Sequence, residues 1–123
     1  MSQTVLIVDD SVTMRDMVAF TLTGAGFQVV QAGDGKEAMG KLATGAKPDL
    51  VVTDLNMPVM DGITLIKAIR KMPPLRFTPI LMLTTESSEE KKAEGRAVGA
   101  TGWIVKPFSP EQFLKVLKKV LPA

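Results

Sequence analysis

Residues 49–62 read DLVVTDLNMPVMDG. Leu50, Val51 and Val52 form a short apolar run that leads into Thr53 and Asp54, and the pattern breaks at Asn56, Met57 and Pro58 before Asp61 and Gly62 begin a new element. A run of this length between turn residues predicts a strand covered on both faces. A carboxylate at its exit stands where α/β proteins keep their chemistry. Asp54 is therefore the residue to explain.

Outward from this strand the same pattern recurs. Residues 4–8 (TVLIV) predict a first strand that stops on Asp9 and Asp10. Ser11 caps a following helix whose apolar positions are Met14, Met17 and Val18, with Phe20 and Leu22 widening the face, and Gly24 and Gly26 end it. Residues 27–31 (FQVVQ) predict the second strand. Asp34 with Glu37 has the spacing of a capping box for a short helix that reaches Leu42 or Ala43. Beyond the 49–62 stretch, Asp61 caps a helix through Ile63, Ile66 and Ile69 to Arg70, which Pro73 and Pro74 close. Residues 79–83 (PILML) predict the fourth strand, with Thr84 and Thr85 at its exit. Ser87 with Glu90 then heads a largely polar helix that contains Gly95 and ends at Gly99. Residues 102–105 (GWIV) predict the fifth strand, which ends on Lys106 and Pro107. Ser109, Pro110 and Gln112 open a last helix with Phe113, Leu117 and Val120 on one side. Five repeats of strand then helix predict a doubly wound α/β domain, with a five-stranded parallel sheet and five helices joined by right-handed crossovers.

Composition narrows the chemistry. At 123 residues the chain is expected to form one domain spanning 1–123, which buries roughly two-thirds of its unfolded surface and leaves no room for a second. It holds no cysteine and no histidine, which excludes thiolate nucleophiles, serine–histidine triads and His-ligated zinc. The longest apolar runs are about four residues against the ~20 that span a bilayer, and no secretory signal opens the chain, so a cytoplasmic location without membrane contact is expected. Net charge is +2, and lysines gather late in the chain, at Lys91, Lys92, Lys106, Lys115, Lys118 and Lys119. A nucleic-acid face is one reading. The better one is a helix C-terminus complemented by cations, because no aromatic residues are interleaved as stacking platforms.

In a parallel sheet every strand's carboxyl end lies on one edge, which gathers Asp9, Asp10, Asp54, Thr84 and Lys106. With strand order 2-1-3-4-5 the first and third strands are neighbours, and the three carboxylates converge at the switch point where such sheets bind ligands. Converging carboxylates repel unless a cation sits among them, and a hard divalent ion such as Mg²⁺ suits a few carboxylates that also leave room for water and a phosphoryl oxygen. An aspartate, Mg²⁺ and a lysine together point to phosphoryl transfer onto the carboxylate. Taken singly, Asp9 reads as a cap or turn former, Lys106 as a solvated lysine and Thr84 as a cap. Their joint occurrence at separate strand exits is what caps do not explain.

Val8 to Ser11 (VDDS), Asp54 to Gly62 (DLNMPVMDG), Leu83 to Glu86 (LTTE) and Lys106 to Phe108 (KPF), in this order and spacing, resemble the receiver domain of two-component response regulators. Residues 99–108 (GATGWIVKPF) with 84–87 (TTES) look like the single-domain chemotaxis regulators in particular. The resemblance implies a flavodoxin-like fold of strand order 2-1-3-4-5 without an output domain. It implies that Asp54 is the phosphoacceptor, and that Asp9 and Asp10 hold Mg²⁺, one directly and one directly or through water, with Asp54 and the backbone carbonyl of Asn56 as further ligands. Thr84 and Lys106 take the switch-hydroxyl and lysine roles, Lys106–Pro107 is a cis peptide, and Trp103 occupies the aromatic switch position, where tyrosine or phenylalanine is common. The implied partners are a sensor histidine kinase, a phosphatase as a further candidate, and a flagellar motor switch or other target. The target would bind a monomer through the face of the fourth helix, fifth strand and fifth helix. Asn56 and Glu86 flank the path of hydrolytic water, so a short-lived phosphoryl group is expected.

The leading expectation is thus a phosphorylation-activated switch of chemotaxis, which takes a phosphoryl group on Asp54 from a sensor histidine kinase and binds a target protein, and is not an enzyme beyond its own phosphorylation and dephosphorylation. A phosphate sink without an output partner shares every one of these features. A Mg²⁺-dependent phosphatase with an aspartate nucleophile is less favoured, because its second acid/base carboxylate is replaced here by Asn56.

Overall fold

The computed structural model describes residues 3–121, so the expected 1–123 span extends past it by Met1, Ser2, Pro122 and Ala123. The strands are β1 (Thr4–Val8), β2 (Gln28–Ala32), β3 (Leu50–Thr53), β4 (Ile80–Thr84) and β5 (Gly102–Val105). They alternate with helices α1 (Val12–Gly24), α2 (Gly35–Ala43), α3 (Gly62–Arg70), α4 (Glu89–Val98) and α5 (Pro110–Val120). All pairings are parallel, in the order β2-β1-β3-β4-β5, as expected. Among the described residues, no helix is long and apolar enough to cross a membrane.

The sheet separates two apolar layers, because successive strand residues face opposite sides. Val5, Ile7, Val52, Leu81 and Leu83 pack against Val18 and Leu22 of α1 and against Phe113 and Leu117 of α5. Leu6, Val8, Val51, Ile80 and Met82 pack against Ala38 and Leu42 of α2 and against Ile63, Ile66 and Ile69 of α3. The residues of β3 and β4 are all buried, whereas those of the edge strand β5 are only partly so. This is the burial of a sheet covered on both faces, and it leaves the strand exits as the open edge.

Three sequence expectations shift. Phe20 does not widen the α1 core face; it is 82 % exposed, and Met17 is 46 % exposed. At about 100° per residue, Phe20 lies some 200° round the helix from Val18, whereas Met14, Val18 and Leu22 repeat at four-residue spacing. The cap of α4 is Ser88, not Ser87: its hydroxyl accepts from the Lys91 N–H, while the Ser88 N–H donates to the Glu86 carboxylate and sets the turn one residue later. Strands β2 and β4 each begin and end one residue later than their apolar runs suggest, and a 3₁₀ turn at Pro73–Leu75 follows α3. The remaining caps, Ser11, Asp34, Asp61 and Ser109, each accept from the third N–H beyond, as read from the sequence.

At the opposite end of the sheet from the strand exits, Arg70 ties three segments together. Its Nη1 donates to the carbonyls of Leu75 (3.0 Å), Arg76 (3.1 Å) and Thr78 (2.7 Å), and its Nη2 to that of Gly99 (2.7 Å), joining the end of α3, the approach to β4 and the end of α4. Burial holds the guanidinium below the usual arginine pKa, and backbone carbonyls supply its hydrogen bonds. Arg70→Leu would strand these acceptors, with an expected loss of about 2–3 kcal/mol. A urea midpoint that falls accordingly, with an unchanged m-value, checks it.

Candidate functional site

The register Val8↔Thr53 sets the exits of β1 and β3 side by side, and the Asp54 N–H donates to the Val8 carbonyl at 2.9 Å. Asp9 and Asp54 therefore leave adjacent strands at one level. Asp9 is 3 % exposed; its Oδ1 accepts from the Ser11 N–H at 2.9 Å, so the carboxylate turns back over the start of α1. Asp10 is exposed and Asp54 half-buried. The Asp54 Oδ1 accepts from the Leu55 N–H at 2.7 Å. One carboxylate oxygen from each of Asp9, Asp10 and Asp54 lies within 4.8 Å of the others.

Lys106 arrives from the far side of β4. Its own N–H is fixed on the Thr84 carbonyl at 2.8 Å, and the peptide to Pro107 is cis. The ammonium reaches the Asp9 Oδ2 at 2.9 Å and the Asp54 Oδ2 at 3.3 Å, with the lysine side chain 11 % exposed. Burial by itself would lower the Lys106 pKa. The hydrogen bond to Asp9 and the charges of Asp54 and Asp9 outweigh it and hold the group above the usual lysine value, so it is cationic at neutral pH.

Three carboxylates and one ammonium leave a net charge of about −2 in a cleft of oxygen donors. That donor set fits Mg²⁺, a hard ion that takes carboxylate oxygens and keeps several waters. Asp9, Asp10 and Asp54 are the side chains placed to hold it, and Asn56 lies in the exposed loop two residues beyond Asp54.

Thr84 is fully buried at the end of β4, and its hydroxyl accepts from the Glu86 N–H at 3.3 Å rather than meeting the carboxylates. Trp103 lies on the α4 side of the sheet, half-buried, and its indole N–H donates to the Glu86 carbonyl at 2.9 Å. A Cβ at Gly95 would come within 2.8 Å of its ring, so the missing side chain at this point of α4 is the space the indole needs. Glu86 is thus held at its N–H by Thr84 and at its C=O by Trp103.

Two contributors escaped the sequence reading. Arg15 donates to the Asp9 backbone carbonyl at 2.6 Å; a cation four residues beyond the helix cap Ser11 was the available signal. Gly62 closes directly on the turn after Asp54, where a Cβ would lie 2.3 Å from the Asp54 carbonyl oxygen. Its place at the head of a helix marked it as a start, with no sign that its size mattered.

The family described as response regulator receiver domain matches residues 5–118. Chemotaxis protein CheY1 of Helicobacter pylori is 38 % identical over 117 residues, which cover 94 % of this chain and 94 % of that protein. The alkaline phosphatase synthesis transcriptional regulatory protein PhoP of Bacillus subtilis is 39 % identical over 121 residues, and the chain spans about half, 49 %, of that relative's length. The crystallized chemotaxis protein CheY4 of Vibrio cholerae superposes with a TM-score of 0.94 at 55 % identity, covering 98 % of this chain and 100 % of that one.

Proposed function

The chain belongs to the response regulator receiver domain family, and from that premise we propose that it is a phosphorylation-activated signalling switch whose phosphoacceptor is Asp54. The observation that carries this reading is the Lys106 ammonium seated on both Asp9 and Asp54, which fixes the direction of the acceptor carboxylate while its neighbours supply oxygen donors. An Asp54 carboxylate oxygen attacks the phosphorus of a phosphohistidine on a sensor kinase. The new O–P bond forms, the P–N bond breaks, and the departing imidazole nitrogen takes a proton from solvent. Mg²⁺ held by Asp9, Asp10 and Asp54, with the Asn56 carbonyl as a further ligand, would neutralise charge on the transferring group. Lys106 remains on an Asp54 or phosphoryl oxygen, and the Thr84 hydroxyl gives up the Glu86 N–H to donate to another.

That last step frees the Glu86 loop, and Trp103 follows because it holds the same residue. Two grooves flank Trp103: one of ≈350 Å³ runs along β5 and α5 with Lys115 and Lys119, the other lies beside Lys92 and Arg96 of α4. An apolar floor ringed by cations suits an acidic amphipathic target segment. The likeness to CheY1 and CheY4 favours a chemotaxis partner such as the flagellar motor switch.

Trp103 is the sole tryptophan, so its emission reports both events. Mg²⁺ is expected to change it, and beryllofluoride to change it again. In Thr84→Ala the metal response should remain and the beryllofluoride response disappear. A metal response unchanged in Asp10→Ala would sink the proposed site. Affinity for a motor-switch peptide that appears only with beryllofluoride supports an output role, and none for any target supports a phosphate sink. With polar Asn56 and Glu86 two residues beyond Asp54 and Thr84, the phosphoryl group is expected to be short-lived; persistence for many hours in chelator-free buffer would overturn that.

A further inference from the structure

Arg15, in the first turn of α1, supports the acidic cluster from behind. Its Nη1 donates to the Asp9 carbonyl at 2.6 Å and its Nε to the Gln31 Oε1 at 3.3 Å. That carbonyl belongs to the peptide joining Asp9 to Asp10. Because the peptide is planar, its direction sets the plane from which the Asp10 side chain departs. The other attachments of Asp9 are its N–H on the Ala32 carbonyl at 3.2 Å, its Oδ1 on the Ser11 N–H and its Oδ2 on the Lys106 ammonium at 2.9 Å. The bond to Ser11 closes a turn around the Asp9–Asp10 peptide, and Arg15 adds the side-chain donor on that peptide's own carbonyl.

Arg15 is itself braced. The Gln31 carbonyl accepts from the Lys41 ammonium, Lys41 pairs with Glu37 at 3.5 Å, and Glu37 accepts from the Gly33 N–H at 2.7 Å. Gly33 has no side chain where both groups pass: a Cβ there would lie 3.3 Å from the Glu37 carboxylate and 3.4 Å from the Arg15 Nη1. The end of β2 and the start of α2 are thereby bracketed to the exit of β1.

We propose that Arg15 is a positioning residue, which by holding the Asp9–Asp10 peptide sets the relative placement of the two carboxylates and hence the affinity of the site for Mg²⁺. The inference rests on the reading of Asp9, Asp10 and Asp54 as that metal's ligands. Mg²⁺ demands near-ideal octahedral geometry, so a ligand displaced by a fraction of an ångström is penalised more than it would be around a larger ion. A charge-assisted hydrogen bond is also the strong kind.

Calorimetric titration with Mg²⁺, paired with thermal melting in EDTA, tests this. Arg15→Ala is expected to weaken binding about tenfold, the lower end of what partners outside the ligand shell contribute. Arg15→Lys should fall between it and the parent, because one ammonium cannot serve the Asp9 carbonyl and Gln31 as a planar fork does. Gln31→Ala, which leaves Arg15 with one partner fewer, should lose less. Asp10→Ala should not bind. A merely structural role would lower the melting temperature and leave the affinity of the folded protein unchanged. Parental affinity in Arg15→Ala beside loss in Asp10→Ala would overturn the positioning role and leave the metal site standing. Parental affinity in Asp10→Ala would overturn the site, and the role with it. If Arg15→Ala does not fold, parental affinity in both Arg15→Lys and Gln31→Ala overturns the proposal.

Discussion

Asp54→Asn is expected to take up no phosphoryl group from phosphoramidate in the presence of Mg²⁺, where the parent protein gains one by intact mass. The substitution keeps the shape of the side chain and an oxygen able to accept from the Leu55 N–H, so the turn after β3 has no reason to move. What it removes is the anionic oxygen proposed as the nucleophile, and an amide oxygen does not form a stable acyl phosphate. The same substitution takes one negative charge out of a cluster in which three carboxylate oxygens lie within 4.8 Å. Relief of that repulsion outweighs the weaker contact with Lys106, because Asp9 retains its own 2.9 Å ion pair. The variant should therefore be more stable than the parent by about 1 kcal/mol in metal-free buffer. Loss of uptake together with a raised melting temperature would separate removal of the acceptor from damage to the fold. Uptake at the parental rate, with the mass addition mapped to another residue, would overturn Asp54 as the acceptor.

The sequence was most legible where one physical cause acted alone. β3 and β4 are short apolar runs because both faces of the sheet are covered, and a carboxylate or hydroxyl at each exit marks where cover ends. Strand order then carried Asp9, Asp10, Asp54 and Lys106 to one place, and the structure brings these four together. Legibility failed where two causes competed. Ser87 and Ser88 are equally good caps by type, and the choice falls to Glu86, whose carboxylate accepts from the Ser88 N–H. Phe20 is apolar enough for the core, yet its position on the helix wheel puts it in water. Trp103 could be placed on its strand but not oriented: its indole depends on Gly95 leaving room and on a carbonyl seventeen residues back in the chain. Arg15 and Arg70 both act on backbone carbonyls, and a carbonyl has no letter in the sequence. The site's ionic groups were visible as residue types, while the hydrogen bonds that aim them were not.

Gly62→Ala is expected to cost about 3 kcal/mol, the upper end of ordinary overpacking, although it adds a single methyl group to a helix terminus. The methyl carbon would sit 2.3 Å from the Asp54 carbonyl oxygen, 3.0 Å from the Leu55 Cα and 3.1 Å from the Met82 sulfur. Met82 can turn away; the other two are backbone and cannot. The Gly62 N–H also donates to the Leu55 carbonyl at 2.8 Å, so the head of α3 is tied to the very segment the methyl group would push. That segment carries Asp54, whose carbonyl the Thr53 hydroxyl holds at 2.9 Å. Displacing it should slow phosphoryl uptake even at temperatures where the variant is folded, linking a packing defect to the chemistry. Gly40→Ala is the control. Gly40 lies within α2 with nothing inside 4 Å of an added Cβ, so there alanine should stabilise by up to about 1 kcal/mol through helix propensity alone. Urea unfolding of the two variants should thus move in opposite directions from the parent. A Gly62→Ala protein within about 0.5 kcal/mol of the parent, the range of an ordinary surface substitution, would show that α3 can retreat from the Asp54 turn without cost.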